Sequence, residues 1–177
     1  MPLAEAAKRR GVRVYHLNIG QPDIETPEAM RRRLALAPKI LAYTPSGGTA
    51  EFVAALQAYY GRLGVPLSTD EVIATTGGSE AIQFAMLACA DPGGDVLLPE
   101  PFYTNYSSFA TMTGLRLVPL TTRGEDGFHL PPRDAWERAL TPSTRLVVLC
   151  NPNNPTGTVY TPDEVAMVAG FCRDRGL

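Results

Sequence analysis

From residue 70 onward, short apolar runs alternate with longer amphipathic segments. The apolar runs are predicted strands and cover residues 72–75, 95–99, 115–120 and 146–150. The segments between them are predicted helices and cover residues 79–90, 103–113 and 132–140. The run at 146–150 is apolar throughout, which is typical of a strand covered on both faces of a parallel sheet. The alternation predicts an α/β domain of three α/β/α layers built around a mostly parallel sheet.

Two more helices have clear boundary signals. Residues 49–63 carry one apolar stripe and are followed by a glycine and a proline that end the helix. Thr161-Pro162-Asp163-Glu164 is a capping box that predicts the start of the last helix. With only about four predicted strands, the sheet looks cut short. We therefore expect partly uncovered apolar faces on residues 146–149 and on the helix at 79–90.

The composition is that of an ordinary globular protein. The 177 residues are 45% hydrophobic and 19% charged, with a net charge of −2, which argues against disorder and against a broad basic surface for nucleic acid. No apolar run approaches the roughly 20 residues that cross a bilayer. Residues 1–10 lack the apolar core of a secretory signal. We therefore expect a cytoplasmic protein with neither nucleic-acid nor membrane partners.

The cysteines are three, widely spaced, and without a C-x-x-C pair: Cys89, Cys150 and Cys172. With only two histidines beside them, neither a metal site nor a disulfide framework is expected. Each cysteine lies in an apolar stretch, so we predict buried, inert thiols. The basic run at 31–33 is predicted to be a solvated helix face.

The segment around Gly77 and Gly78 could bind an anion. It lies between a predicted strand and a predicted helix, at the sheet edge where open α/β folds bind ligands. Two glycines allow close approach of backbone N–H groups, and the helix directs its positive end at the same point, an arrangement that suits a phosphate. The segment matches neither the dinucleotide fingerprint nor the P-loop. A tight turn without a ligand is the alternative.

Two further segments follow predicted strands. Tyr103 comes after a proline-flanked turn, where its ring could stack on a planar ligand or simply pack against the core. Residues 151–157 contain three asparagines, Asn151, Asn153 and Asn154. A side-chain amide there could donate to a ring oxygen of a bound ligand. Alternatively, the amides satisfy the backbone of their own turn.

Taken together, these motifs resemble a known family. Gly-Gly-Ser-Glu-Ala at 77–81, Pro-Phe-Tyr at 101–103 and Asn-Asn-Pro-Thr-Gly at 153–157 are similar, in order and spacing, to fold-type I pyridoxal-phosphate aminotransferases of the aspartate aminotransferase class. Asn18-Ile19-Gly20-Gln21-Pro22-Asp23 and the segment at 43–48 match as well. The resemblance implies an incomplete cofactor-binding large domain at 46–177, whose C-terminal remainder is absent. An N-terminal arm or small-domain segment at 1–45 would precede it.

The resemblance also implies a cofactor, pyridoxal 5'-phosphate, and the residues that bind it. The backbone of Gly78, Ser79 and Glu80 would hold the phosphate. Tyr103 would stack on the pyridine ring, and Asn154 would donate to its phenolic oxygen. The implied set also includes Gly20 and Tyr43. Gly20 would lie against the substrate carboxylate. Tyr43 would reach the phosphate of the neighbouring subunit, so that a homodimer is expected.

The implied activity moves an amino group between an amino acid and a 2-oxo acid, with a lysine that holds the cofactor as a Schiff base. The sequence contains two lysines, Lys8 and Lys39, and neither follows the Asn-Pro-Thr-Gly segment, where the family's lysine belongs. We expect this lysine beyond Leu177, together with the aspartate on the pyridine nitrogen and the arginine that binds the substrate carboxylate. No catalytic residue is therefore assigned, and residues 1–177 alone are predicted to be inactive.

Three alternatives share the same motifs. One is a different reaction on the same cofactor, such as that of a C–S lyase. Another is a non-catalytic, aminotransferase-like binding domain, although residues 1–45 lack a helix-turn-helix pattern that would accompany a regulator. The third is a truncated gene product without function. Neither the amino-acid substrate nor the class of reaction can be predicted from these residues.

Overall fold

The chain divides into two units, Met1–Pro45 and Ser46–Leu177. The computed structural model describes residues 2–16 and 19–177. The amino-terminal unit contains helices α1 (Pro2–Arg9) and α2 (Glu28–Ala35). None of its described residues is buried.

The basic run lies on α2, and its side chains are exposed to solvent. Arg31 and Arg32 form ion pairs with Glu25 and Glu28. Exposed ion pairs of this kind contribute little to stability. The prediction of a solvated helix face is confirmed.

The carboxy-terminal unit alternates helices and strands. Its helices are α3 (Ala50–Arg62), α4 (Gly78–Cys89), α5 (Asn105–Thr113), α6 (Arg133–Ala139) and α7 (Pro162–Arg175). Its strands are β1 (Asp95–Glu100), β2 (Arg116–Thr121) and β3 (Thr144–Val147). Single turns of 3₁₀ helix lie at Thr69–Glu71 and Gly124–Asp126. The predicted capping box opens α7, with the Thr161 hydroxyl accepting from the Glu164 N–H.

The three strands form a parallel sheet in the order β2-β1-β3. Because side chains alternate along a strand, the central strand supplies both faces of the sheet. Val96 packs with Met86 of α4 in one hydrophobic cluster, which α5 also lines. Leu97 packs with Trp136 of α6 and Phe171 of α7 in a second cluster. The structure confirms the predicted α/β class, with helices on both sides of a parallel sheet.

Asp95 anchors the amino-terminal end of β1, with 0% of its surface exposed. Arg116 donates to both of its carboxylate oxygens at 2.7 Å, and Thr141 donates to Oδ2 at 2.6 Å. The hydrogen bonds from Arg116 hold the pKa of Asp95 below its ordinary value despite burial, with a further contribution from Thr141. These contacts tie the loop before β3 and the start of β2 to the central strand.

Glu164 joins the start of α7 to the loop before α6. Besides Thr161, its carboxylate accepts from the Leu130 N–H at 2.7 Å and lies 3.0 Å from Nδ1 of His129. Burial alone would raise the pKa of Glu164. The N–H donors of Thr161 and Leu130, with His129 and the Thr161 hydroxyl, outweigh it and lower the pKa to about 2.

The structure corrects three local predictions. No strand forms at 72–75, because among the described residues no strand pairs with this segment, and Ala74 donates instead to the carbonyl of Gly47. Strand β3 ends at Val147 rather than at 150. Cys89 is exposed rather than buried, since Met86 is the one buried residue of α4; Cys150 and Cys172 are half-buried.

The expected uncovered apolar faces are present. Residues 146–149 are only half-buried. On α4, Phe84 and Leu87 are 44% and 59% exposed. Within the described ranges, no helix is both long enough and apolar enough to cross a membrane.

Candidate cofactor site

Three segments of the carboxy-terminal unit belong to elements that pack against one hydrophobic cluster. They are the turn before α4, the loop after β1 and the loop after β3. Ile82 of α4, Tyr103 and Cys150 all pack against the same hydrophobic cluster. The amide of Asn153 also donates directly to the carbonyl of Pro101 at 3.0 Å. The loops that carry Tyr103 and Asn154 are therefore in direct contact, as expected for loops that extend from neighbouring parallel strands. The predicted phosphate segment opens a helix that packs against the same cluster.

The turn before α4 presents free backbone donors. Gly77 is the N-cap residue, with φ of 79° and ψ of 176°, and no side chain caps the helix. Within the described ranges, the N–H groups of Gly78, Ser79 and Glu80 have no hydrogen-bond partner. The Glu80 carboxylate turns back to accept from the Thr76 N–H at 2.6 Å. An anion at this helix end would meet three backbone donors and the positive end of the helix dipole.

Tyr103 is held in place after β1. Its hydroxyl accepts from Nδ2 of Asn105 at 2.7 Å. Its ring meets Tyr106 edge-on, with centroids 5.8 Å apart and an interplanar angle of 88°. The ring is half-buried, so one part packs on the core while the rest is open to a ligand. Both predicted roles, packing and stacking, are compatible with this position.

Tyr106 supports this arrangement from the core. It is buried, and burial, together with the neighbouring Cys150, raises its pKa to about 12. The phenol therefore stays protonated and neutral at physiological pH. Because the Tyr106 phenol is neutral, it places no fixed charge beside the Tyr103 ring.

The three asparagines after β3 have different environments. Asn151 accepts from the Tyr160 N–H at 3.0 Å, and Asn153 is buried and donates to Pro101 and Thr156. Asn154 is exposed, and its side chain has no hydrogen-bond partner within the described ranges. Two of the amides thus satisfy the loop, and the third remains available to a ligand. The local pattern left this division open, and the resemblance had implied Asn154 as the residue that contacts the ligand.

The remaining predicted residues lie in the amino-terminal unit. Gly20 is exposed, and the Tyr43 side chain is fully exposed. Asn18, part of the same motif as Gly20, lies outside the described residues. No metal-binding group of three or more His, Cys, Asp or Glu side chains is present within residues 2–16 and 19–177.

Sequence reasoning missed two residues that support the site, Asn105 and Asn153. Asn105 looks like an ordinary residue near a helix start, and nothing local indicates that it bonds Tyr103. Asn153 was noted only as one of three similar amides. Its position in the sequence could have indicated this role. Asn153 directly precedes Asn154, so a contact that fixes Asn153 also fixes the backbone from which the Asn154 side chain extends.

The residues present fit a phosphorylated planar ring. Uncapped helix donors suit the phosphate, a half-buried aromatic suits a ring face, and an unpaired amide suits a ring oxygen. An α/β sheet with this set of loops defines a class of cofactor-dependent enzymes. Comparison with known families identifies the class further.

The chain belongs to the aminotransferase class I and II family, whose sequence model matches residues 12–177. Members of this family use pyridoxal phosphate. The predicted family and cofactor are thereby confirmed.

Individual relatives agree with this assignment. Aspartate/prephenate aminotransferase of Thermus thermophilus is 37% identical over 161 residues, which are 89% of this chain and 41% of that protein. A probable N-succinyldiaminopimelate aminotransferase of Mycobacterium tuberculosis is 39% identical over 165 residues, again 89% of this chain and 41% of the relative. The chain thus spans about two fifths of the length of these curated relatives.

Solved structures give the same result. An aspartate aminotransferase mutant of Thermus thermophilus superposes with a TM-score of 0.91 at 33% identity, over 99% of this chain and 47% of that one. N-succinyldiaminopimelate aminotransferase of Mycobacterium tuberculosis gives a TM-score of 0.87 at 36% identity, over 99% of this chain and 47% of that one. The fold of the described residues is therefore that of the corresponding part of these enzymes.

Proposed function

We propose that this chain is part of a pyridoxal-phosphate aminotransferase that moves an amino group between an amino acid and a 2-oxo acid. The observation that carries the proposal is a combination of features on elements that pack against one hydrophobic cluster. These are the uncapped backbone donors at the start of α4, and Tyr103 and Asn154 on two loops that a hydrogen bond joins. The names of the relatives, which are aminotransferases for aspartate, prephenate or diaminopimelate derivatives, support the same reaction class.

Each proposed contact has a physical role. The N–H groups of Gly78, Ser79 and Glu80 bind the phosphate, with the helix dipole adding to the attraction. Tyr103 covers one face of the ring and limits its tilt. Asn154 donates to the phenolic oxygen and orients the ring about the phosphate. The cofactor, when bound, supplies the electron sink for chemistry at the substrate's α-carbon.

Several parts of the proposal depend on residues outside this site. Gly20 is proposed to contact the substrate carboxylate, and Tyr43 to contact the phosphate held by a second subunit of a homodimer. Residues 46–177 are proposed to be part of the cofactor-binding domain and residues 1–45 an arm or small-domain segment. We also propose a cytoplasmic location. Since Lys8 and Lys39 are the two lysines, the lysine that binds the cofactor is proposed to follow Leu177.

The genomic reading frame downstream of the Leu177 codon is the first test. An open frame that encodes a further strand with an aspartate, followed by a lysine, supports the proposal. A stop codon in the genome at that point contradicts catalysis by this protein.

The second test is an assay of the chain that the gene encodes. With an amino-acid donor, turnover that requires an added 2-oxo acid identifies transamination. Release of ammonia and an oxo acid without any acceptor identifies elimination instead, as in the C–S lyase alternative. Residues 1–177 alone serve as the negative control, and turnover by them contradicts the proposed position of the lysine.

A further inference from the structure

Asn153 connects the two loops that carry the proposed ring contacts. It is 7% exposed, and its Nδ2 donates to the Pro101 carbonyl at 3.0 Å and to Oγ1 of Thr156 at 2.9 Å. Pro101 is two residues before Tyr103, and Asn153 is directly before Asn154. One buried amide therefore links residues 52 positions apart in sequence.

The backbone of Asn153 is fixed as well. Its N–H donates to the Thr158 carbonyl at 2.8 Å, and its carbonyl accepts from the Gly157 N–H at 2.8 Å. Thr156 extends this hydrogen-bond network, because its hydroxyl donates to Oγ1 of Thr158 at 3.0 Å. The 153–158 turn is therefore closed on itself, and the bond to Pro101 is what fixes that closed turn against the loop after β1.

We propose that Asn153 is a positioning residue that sets the separation of Tyr103 and Asn154, and so the fit of the cofactor ring between them. The inference rests on the proposed function. Asn153 does not touch the ring; its two N–H groups are both used within the protein. Its influence reaches the ring because Asn154 is the next residue and has no other side-chain anchor within the described ranges.

The phosphate contacts lie on a separate element. Gly78, Ser79 and Glu80 belong to the start of α4, and Asn153 forms no hydrogen bond with them. Loss of the Asn153 link should therefore weaken binding of the ring while leaving binding of a bare phosphate unchanged. A residue that merely supported the whole fold would affect both ligands.

The test measures dissociation constants for two probes on the full chain encoded by the gene. Pyridoxine 5'-phosphate carries the ring and the phosphate but no aldehyde, so it reports the non-covalent contacts alone. Inorganic phosphate reports the phosphate contacts without the ring. The variants are Asn153→Ala and Asn153→Leu; the second roughly keeps the side-chain volume, is uncharged and cannot donate to the Pro101 carbonyl. Asn151→Ala is the matched control, because it removes a loop amide that does not reach Pro101.

We expect both Asn153 variants to bind pyridoxine 5'-phosphate about tenfold more weakly. A tenfold change corresponds to the free energy of about one hydrogen bond. Their affinity for inorganic phosphate and that of Asn151→Ala for both probes should stay within about twofold of wild type. Equal affinity of wild type and Asn153→Leu for the ring probe overturns the inference. A parallel loss for both probes also overturns it. If the wild type binds no pyridoxine 5'-phosphate, the proposed function itself fails.

Discussion

Glu164→Gln is expected to destabilise the carboxy-terminal unit in a pH-dependent way. The carboxylate is only 17% exposed and accepts from Thr161, Leu130 and His129. These donors lower its pKa on folding from the ordinary 4.5 to about 2. A shift of this size corresponds to about 3 kcal/mol of stability at neutral pH. Glutamine cannot carry the charge and keeps only one acceptor oxygen, so it should lose most of that contribution.

The pH dependence follows from the direction of the shift. A carboxyl whose pKa is lowered in the folded protein stabilises the fold above its unfolded pKa, and the contribution is lost as the pH falls toward the folded pKa. The difference between wild type and Glu164→Gln should therefore be about 3 kcal/mol at pH 7 and about 1 kcal/mol at pH 3. Below pH 2 it should nearly vanish, because the wild-type side chain is then neutral as well.

Urea unfolding followed by tryptophan fluorescence measures this difference. Trp136 is the one tryptophan of the sequence, is fully buried, and packs with Phe171 of the helix that Glu164 opens. Asp163→Asn is the matched control: this exposed acid in the same first turn should contribute less than about 1 kcal/mol through the helix dipole. A pH-independent difference for Glu164→Gln, or one below about 0.5 kcal/mol at pH 7, would refute the reasoning.

Three further substitutions test other parts of the structure. Asp95→Asn should lower the free energy of unfolding by about 2 kcal/mol at pH 7, since it loses charge-assisted bonds from Arg116. Because the pKa of Asp95 is lowered in the fold, this loss should shrink below pH 4, as urea unfolding at two pH values would show. Gly77→Ala should cost about 1–3 kcal/mol by calorimetry, as a side chain is strained at φ of 79°; an unchanged melting temperature contradicts this. Asn154→Ala should change stability by less than about 0.5 kcal/mol, since the side chain is exposed. It should nevertheless weaken binding of pyridoxine 5'-phosphate, and an unchanged dissociation constant argues against the proposed ring contact.

The fold was predictable where the signals are local. The capping box at Thr161 and the apolar run of β1 depend on a few consecutive residues, and both elements form at the predicted places. The segment at 72–75 has an equally strand-like composition but forms no strand, because a strand also needs a neighbour to receive its backbone hydrogen bonds. Cys89 shows the same limit, since the burial of a helical residue depends on what packs against that face.

Local sequence pattern predicted the segments of the candidate site, whereas the individual roles came only from the resemblance to a family. The glycines before α4, Tyr103 and the asparagines after β3 were all recognised from the sequence. Local pattern alone could not distinguish among Asn151, Asn153 and Asn154, which have the same side chain within four positions. The resemblance to the aminotransferases is what selected Asn154.

Outside residues 72–75, the sequence by itself determined the order of helices and strands, the turns that end the strands, and the family to which the chain belongs. These follow from local periodicity, capping residues and motif spacing, all of which are properties of neighbouring residues. Only the tertiary structure decided that Asn153 bonds the Pro101 carbonyl and that Asn154 stays free for a ligand. It also decided that the buried Asp95 and the half-buried Glu164 are charged anchors of the fold. The physical reason is that the hydrogen bonds of Asp95, Asn153 and Glu164 reach partners more than 20 residues away in sequence, which come close only when the chain folds.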